Sequence, residues 1–190
     1  MINFPSALTS YVSGLTSIFG HVLLKTISFF DIFLVFFTAT NLFATEAKNH
    51  QFNFFTGNFD FSDDQQAAFL IGLQHQNENL KKDSIIGNIS PITGAFITEN
   101  SAIYVYTGIE WNVKMGEKIL FTPSFAPGLY HEGDGKDLGH ILEFKSEIQL
   151  SYENSNNTSF GVSYNHVSNA SLGDKNPGAN SYMFNFIKNF

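Results

Sequence analysis

The sequence contains no cysteine among its 190 residues, which excludes a disulfide framework and thiolate chemistry. Basic residues are few: ten Lys and Arg stand against 17 Asp and Glu, for a formal charge of −7. Such a balance lacks the basic face that binds phosphates, so we expect no nucleic-acid partner. There is no Gly-rich phosphate loop, and His75, His131 and His140 do not form a metal-ligand pattern. We therefore expect neither a metal nor another cofactor.

Aromatic residues are abundant, with 22 Phe, 7 Tyr and 1 Trp making up 16% of the chain. Because the mean hydropathy is near zero, these residues must alternate with polar ones instead of forming long apolar runs. One apolar face and one wet face on each strand is typical of β-structure.

The first part of the chain has the features of a targeting segment. A basic residue, Lys25, precedes the apolar stretch 29–37, and small residues follow it as far as Ala44. This order is typical of a secretory signal. A retained transmembrane helix is the alternative, but the stretch falls well short of the roughly 20 residues that a span needs. We predict a signal segment at 1–47 and one mature domain at 48–190.

Segments of alternating polarity fill the mature domain, and polar turns separate them. We predict eight strands, near 51–61, 67–75, 85–98, 102–114, 118–130, 140–153, 158–168 and 180–190. They run to about 10–14 residues, enough to cross a membrane when tilted, whereas strands of soluble proteins average about five or six. The chain also ends on Phe190, which closes an aromatic strand. These features favour an all-β, eight-stranded antiparallel transmembrane barrel of the bacterial outer membrane over the alternative, a secreted β-sandwich.

A barrel in lipid places its apolar face outside and its polar face inside. For the last two predicted strands we expect four aromatic residues to face lipid: Phe160, Tyr164, Phe184 and Phe186. Asn165 and Asn185 should face the lumen. We also expect a network of charged residues to fill the lumen, formed by Glu110, Glu143, Lys145 and Glu147.

The seventh predicted strand carries a pair of residues that packing does not explain. His166 and Ser168 are two positions apart, so they share one face of the strand with backbones about 6–7 Å apart. A serine hydroxyl becomes a good nucleophile when an adjacent base takes its proton, and histidine is such a base. If both termini lie in the periplasm, this pair lies at the outer leaflet. The alternative is that both residues are hydrated at headgroup level and idle.

The return to the eighth strand brings a third residue to the same face. The turn signal Asn-Pro-Gly at 176–178 precedes Asn180, which shares its outward face with Tyr182 and Phe184. A side chain at this position can accept a hydrogen bond from the second nitrogen of His166 and fix the tautomer of the ring.

The segment His-Val-Ser-Asn-Ala at 166–170 and the segment Leu-Gly-Asp-Lys-Asn-Pro-Gly at 172–178 resemble the signature of the lipid A 3-O-deacylase family, also called acyloxyacyl hydrolases. Further segments that resemble blocks of this family lie at 104–108, 122–124, 133–139 and 142–145. The resemblance covers roughly residues 90–190.

The resemblance implies an outer-membrane barrel with a serine esterase site on its lipid-facing surface. Carried over by position, Ser168 is the nucleophile, His166 the base, and Asn169 the residue that helps the oxyanion hole. The triad acid of the family lies twelve residues after the serine, where this chain has Asn180 in place of the glutamate of the best-known members. An amide orients an imidazole but offers no countercharge, and Asp174 is an alternative orienting group.

The predicted function is hydrolysis of a fatty acyl ester of lipid A, at the 3-O position by resemblance, without a cofactor. The acyl chain would lie along Val162, Tyr164, Tyr182 and Phe184. The expected partners are lipopolysaccharide, the lipids of the outer membrane and the barrel assembly machinery, and the sequence leaves a homodimer open. The alternatives are a non-catalytic barrel with a structural or adhesive role and a lipid A acyltransferase.

Overall fold

The computed structural model describes residues 49–63, 65–154 and 157–190. The signal predicted at 1–47 lies outside these residues. The described chain is almost entirely strand. Its elements are β1 (His50–Phe59), β2 (Ala68–Asn77), a single 3₁₀ turn (Glu78–Leu80), β3 (Lys82–Ser84), β4 (Gly87–Thr98), β5 (Ile103–Lys114), β6 (Ile119–His131), β7 (Leu142–Glu153), β8 (Thr158–Ser168) and β9 (Ala179–Asn189).

Eight long antiparallel strands close on themselves. Neighbours in sequence pair from β4 to β9, β9 then pairs with β1, and β1 pairs with β2. The pairing of β2 with β4 completes the ring. Closure leaves no long free edge, which is how a barrel satisfies its backbone within a membrane. The predicted eight-stranded barrel is therefore confirmed, and the alternative of a β-sandwich is wrong.

One element was not predicted from the sequence. The short strand β3 folds back on the start of β4, so that Lys82 pairs with Ile89 and Ser84 with Gly87. Three residues are too few to show a period-two pattern. This hairpin extends beyond the ring and does not alter the closure.

The outer surface is apolar, as expected of a face in contact with lipid. Along β8 and β9, Phe160 and Phe184 are more than half exposed, and Tyr164 and Phe186 lie on the same side. The predicted register is confirmed, because a slip of one residue would turn each of these side chains inward. The outer surface carries further exposed apolar residues on the other strands, among them Phe69, Leu73, Val105, Phe125, Leu129, Ile148 and Leu150.

Part of the interior is a polar network, as predicted. Lys145 is buried, its Nζ lies 3.1 Å from a carboxylate oxygen of Glu147, and it sits 4.1 Å from the centre of the Tyr106 ring. Gln74 donates to the Glu110 carboxylate at 2.9 Å. Glu143 is also fully buried. The contacts of Lys145, Glu147 and Glu110 supply the partners that buried charges need. Both carboxylate oxygens of Glu143 are buried without a hydrogen-bond partner among the described residues.

The other part of the interior is not polar, contrary to our expectation. A cluster of buried apolar and aromatic side chains occupies it, including Phe55, Phe59, Leu70, Ile92, Phe96, Tyr104 and Tyr130. Phe59 contacts Phe96 at 5.7 Å and Tyr130 at 6.2 Å between ring centroids. An eight-stranded barrel is narrow enough for side chains to fill it. The interior is thus a packed core and not a channel.

Four connections meet at one end of the barrel, which we call the loop end: the first loop, described at 60–63 and 65–67, and the loops 99–102, 132–141 and 169–178. The start of β1 and the end of β9 lie at the opposite end. No helix within the described ranges is long and apolar enough to cross a membrane.

Candidate active site

The candidate site lies on the outer surface at the loop end, where β8 finishes. His166 is exposed and Ser168 is half-buried, and both share the outward face of β8 with Val162. The residue opposite His166 on β9 is Asn180. The three residues that the sequence predicted to act together therefore lie side by side on one surface.

His166 and Asn180 are joined by a hydrogen bond. Nδ1 of His166 lies 2.8 Å from Oδ1 of Asn180. A carbonyl oxygen can only accept, so Nδ1 carries the proton. In the neutral ring the other nitrogen, Nε2, is then a free base.

A second donor shares the same oxygen. The hydroxyl of Tyr164 donates to Oδ1 of Asn180 at 2.8 Å, and the Tyr164 ring lies 5.4 Å from that of Tyr182. Tyr164 was predicted to face lipid and to contact the acyl chain. Its hydroxyl also holds the amide of Asn180 in place, which sequence spacing alone did not show.

Ser168 stands next to this pair but makes no side-chain hydrogen bond with any described residue. Its spacing from His166 puts the two side chains within reach of each other on one face. Contacts of this kind are often long in the absence of substrate and tighten in the reacting complex. The hydroxyl is thus free to approach Nε2.

Asn169 holds two loops together. Its side chain is fully buried and donates to the backbone carbonyls of Leu138 and Lys175, each at 2.8 Å. Its backbone N–H donates to Asn176 at 3.0 Å. The oxyanion role of Asn169 remains a prediction, and it requires one of these bonds to be given up during the reaction.

The same two loops are joined by an ion pair at the surface. Lys175 from the loop 169–178 pairs with Asp137 from the loop 132–141. The hydrogen bond from Lys175 holds the pKa of the Asp137 carboxyl below its ordinary value. Asp174, the alternative orienting group, is exposed and makes no contact of this kind with the described residues. The structure does not bring it to His166.

The glycine of the Asn-Pro-Gly turn lies against the histidine ring. Gly178 has a φ of +63°, and a Cβ at this position would lie 2.8 Å from Cε1 of His166. A side chain here would strain the backbone and displace the His166 ring. Ala170 and Ser171, just after Ser168, also have positive φ, of 53° and 65°. Backbone conformations of this kind cluster at functional sites.

A shallow groove of about 200 Å³ runs along the outer surface below the site. Three of the four residues predicted to contact the acyl chain line it, Val162, Tyr164 and Tyr182, together with Phe121, Ile148 and Leu150. Phe184 is exposed on the same strand as Tyr182 but does not line the groove. The groove is apolar, as a fatty acyl chain requires.

The first loop contributes residues that the sequence did not indicate. Ser62 accepts a hydrogen bond from Nδ2 of Asn180 at 3.2 Å, and Asp60 accepts one from the Asn180 backbone at 3.3 Å. Phe61 lies 4.2 Å from Tyr182 between ring centroids. No group of three or more histidine or acidic side chains in the described ranges is placed to hold a metal ion.

Comparison with solved structures finds the fold of this chain in an outer-membrane enzyme. The crystal structure of the outer membrane enzyme PagL superposes with a TM-score of 0.59 at 18% identity, over 74% of this chain and 99% of that one. A de novo designed transmembrane β-barrel matches with a TM-score of 0.48 at 10% identity, over 75% of this chain and 97% of the design. The outer membrane protein Ail of Yersinia pestis matches with a TM-score of 0.45 at 11% identity, over 74% of this chain and 99% of Ail.

Comparison with curated protein sequences gives no match. The family model for lipid A 3-O-deacylase (PagL) matches residues 55–189, well over half of the chain. The matched region contains His166, Ser168 and Asn180 and all of the barrel strands except the start of β1. The chain belongs to the lipid A 3-O-deacylase (PagL) family.

Proposed function

We propose that this outer-membrane lipid A deacylase is a serine esterase, with Ser168 as its nucleophile and His166 as its base. The observation that carries the proposal is the 2.8 Å hydrogen bond from Nδ1 of His166 to Asn180. It leaves Nε2 unprotonated on the face that Ser168 shares. An esterase of this type needs that tautomer, because the nitrogen that faces the serine must take its proton.

The reaction proceeds in two steps. Oγ of Ser168 attacks the carbonyl carbon of the acyl ester while its proton moves to Nε2 of His166. The bond between the carbonyl carbon and the sugar oxygen then breaks, and His166 returns the proton to that oxygen. Water next attacks the acyl-serine, gives one proton to Nε2, and releases the fatty acid as Ser168 regains its hydrogen.

The groove supports the choice of substrate. An acyl chain that lies along Val162, Tyr164 and Tyr182 brings its ester toward the loop end, where Ser168 stands. The chain stays in contact with apolar surface throughout, so that binding costs no exposure of hydrocarbon to water. Cleavage at the 3-O position follows from the family and is part of this proposal.

Asn180 is proposed as the orienting residue in place of an acid. Its carbonyl oxygen fixes the ring of His166, as an asparagine does in Cys-His-Asn proteases. It does not neutralise the imidazolium that forms during the reaction. We therefore expect the enzyme to follow the reaction of its family at a lower rate than a variant with a carboxylate.

The test is substitution of Ser168 by alanine, with Ser146 as the matched control. Ser146 is exposed on the same outer face and pairs with His166 across β7 and β8, so it is the rival nucleophile. We expect Ser168→Ala to abolish the release of fatty acid from lipid A, measured by mass spectrometry, and Ser146→Ala to retain it. Activity that survives Ser168→Ala in folded protein would refute the proposed site.

The same measurement separates the alternatives. A hydrolase releases free fatty acid, whereas an acyltransferase forms a new ester with an acceptor other than water. A non-catalytic barrel produces neither. Involvement of the barrel assembly machinery and formation of a homodimer remain predictions.

A further inference from the structure

We propose that Ser62 and Asp60, in the first loop, are positioning residues that set the direction of the hydrogen bonds reaching His166. This inference rests on the proposed function and deepens it. It concerns a problem specific to this chain. An asparagine amide has one accepting end and one donating end, so it orients a histidine correctly only if the accepting end faces the ring.

One continuous chain of hydrogen bonds runs from His166 to the carboxylate of Asp60. Nδ1 of His166 lies 2.8 Å from Oδ1 of Asn180. Nδ2 of Asn180 donates to Oγ of Ser62 at 3.2 Å. Oγ of Ser62 donates to Oδ1 of Asp60 at 3.3 Å. Four side chains thus share three hydrogen bonds.

The carboxylate of Asp60 determines which atom donates in each hydrogen bond of this chain. Asp60 as a carboxylate can only accept, so the hydroxyl hydrogen of Ser62 points toward it. The oxygen of Ser62 then has only lone pairs to offer Asn180, and these bind the NH₂ end of the amide. The carbonyl end must therefore face His166, which puts the proton on Nδ1 and leaves Nε2 free for Ser168.

Asp60 is itself held as a carboxylate acceptor. It is 1% exposed, it accepts from the backbone N–H of Asn180 at 3.3 Å, and it forms an ion pair with Lys136. Lys136 also lies 3.7 Å from Asp63. Three segments that are far apart in sequence thereby meet at the Asp60 carboxylate: the first loop, the loop 132–141 and β9.

A carboxylate in place of Asn180 would need no such support, because both of its oxygens accept. This difference gives a test that a merely structural role of Ser62 would not pass. Ser62→Ala removes the acceptor for the NH₂ end and lets the amide turn over. Ser62→Thr is the matched control, because it keeps the hydroxyl.

In the native background we expect Ser62→Ala to lower kcat for lipid A deacylation by roughly 3- to 10-fold, equivalent to one neutral hydrogen bond. KM should change less, because Ser62 does not line the groove. Ser62→Thr should restore most of the loss. In an Asn180→Asp background, Ser62→Ala should change kcat by less than about twofold, because both carboxylate oxygens accept hydrogen bonds and either can face His166.

The tautomer of His166 is measured independently of activity. ¹⁵N chemical shifts of the ring in detergent-solubilised protein distinguish a proton on Nδ1 from one on Nε2. We expect Nδ1–H in the native protein and a mixture in Ser62→Ala. Asp60→Asn keeps the shape of Asp60 but offers an NH₂ group to Ser62, which exchanges donor and acceptor in each hydrogen bond of the chain. This variant should therefore favour Nε2–H of His166 in the fraction that folds.

Equal losses of kcat from Ser62→Ala in both backgrounds would overturn the inference, since Ser62 would then act only through the structure of the loop. An unchanged tautomer in Ser62→Ala would overturn it as well. The proposed function fails on a different result, namely deacylation that survives Ser168→Ala. The ¹⁵N measurement does not depend on that result, so the two failures are distinguishable.

Discussion

Replacing Asn180 by alanine removes the oxygen that accepts from His166 and from Tyr164, each at 2.8 Å. In the proposed reaction His166 becomes an imidazolium, so the lost bond is one to a charged group, worth about 1.5–3 kcal/mol. At 1.36 kcal/mol for each factor of ten, kcat should fall roughly 10- to 150-fold. If His166 also adopted the wrong tautomer in this variant, the fall in kcat could reach about 10⁴, the loss that a wrong tautomer causes in serine proteases.

The opposite change should raise the rate. Asn180→Glu supplies the carboxylate found in the best-known relatives, and charge-assisted hydrogen bonds are about twice as strong as neutral ones. We expect an increase of up to about tenfold in kcat. The cost in folding stability is small, because an acidic side chain near the membrane interface destabilises a barrel by roughly 0–1 kcal/mol. Its negative neighbour, Asp60, is already paired with Lys136.

The assay uses native protein and both variants in detergent at matched folded amounts, with the folded fraction read from heat-dependent mobility on gels. Released fatty acid is quantified by mass spectrometry across a range of lipid A concentrations, which separates kcat from KM. Equal kcat for all three proteins would show that Asn180 does not orient His166. A large rise in KM with unchanged kcat would assign Asn180 to substrate binding instead.

Three further predictions concern the frame of the site. Gly178→Ala should reduce deacylation more than tenfold, because its Cβ would lie 2.8 Å from the His166 ring. The control is Gly116→Ala, which also has a positive φ but has open space around it. This control should lose only about 1 kcal/mol of folding stability and keep its activity. Lys145→Ala leaves its buried carboxylate partner unpaired and should destabilise the barrel by about 3–5 kcal/mol in thermal unfolding, with normal turnover below the transition. A membrane-confined thiol reagent should label Phe184→Cys and spare Asn185→Cys, and the reverse pattern would contradict the register.

The fold was predictable because one physical rule acts along the whole chain. Alternation of polarity fixes which side of a strand meets lipid, and it located the boundaries of most strands to within about two residues. The rule fails where side chains on the inner face are themselves apolar. Phe55, Leu70 and Phe96 lie inside, since a narrow barrel is stabilised by close packing as well as by polar pairing.

The proximity of the candidate site residues was predictable where they are close in sequence or face each other across one hairpin, while their catalytic roles stay predictions. His166, Ser168 and Asn180 meet these conditions. Ser62 and Asp60 do not, because they lie 118 and 120 residues from Asn180. Their approach depends on the pairing of β1 with β9, and nothing in the local pattern of either segment indicates it.

The seam between β1 and β9 thus has a consequence for the life of the enzyme. The first and last strands of the barrel meet only when the ring closes, and the first loop reaches Asn180 only then: Phe61 donates its backbone N–H to the Asn180 carbonyl at 3.0 Å. A chain in transit, with its ends apart, has the proposed nucleophile and base but lacks the contacts of the first loop with Asn180. If the proposed site is correct, we expect hydrolysis to require completed insertion, so that lipids met by the unassembled polypeptide are spared.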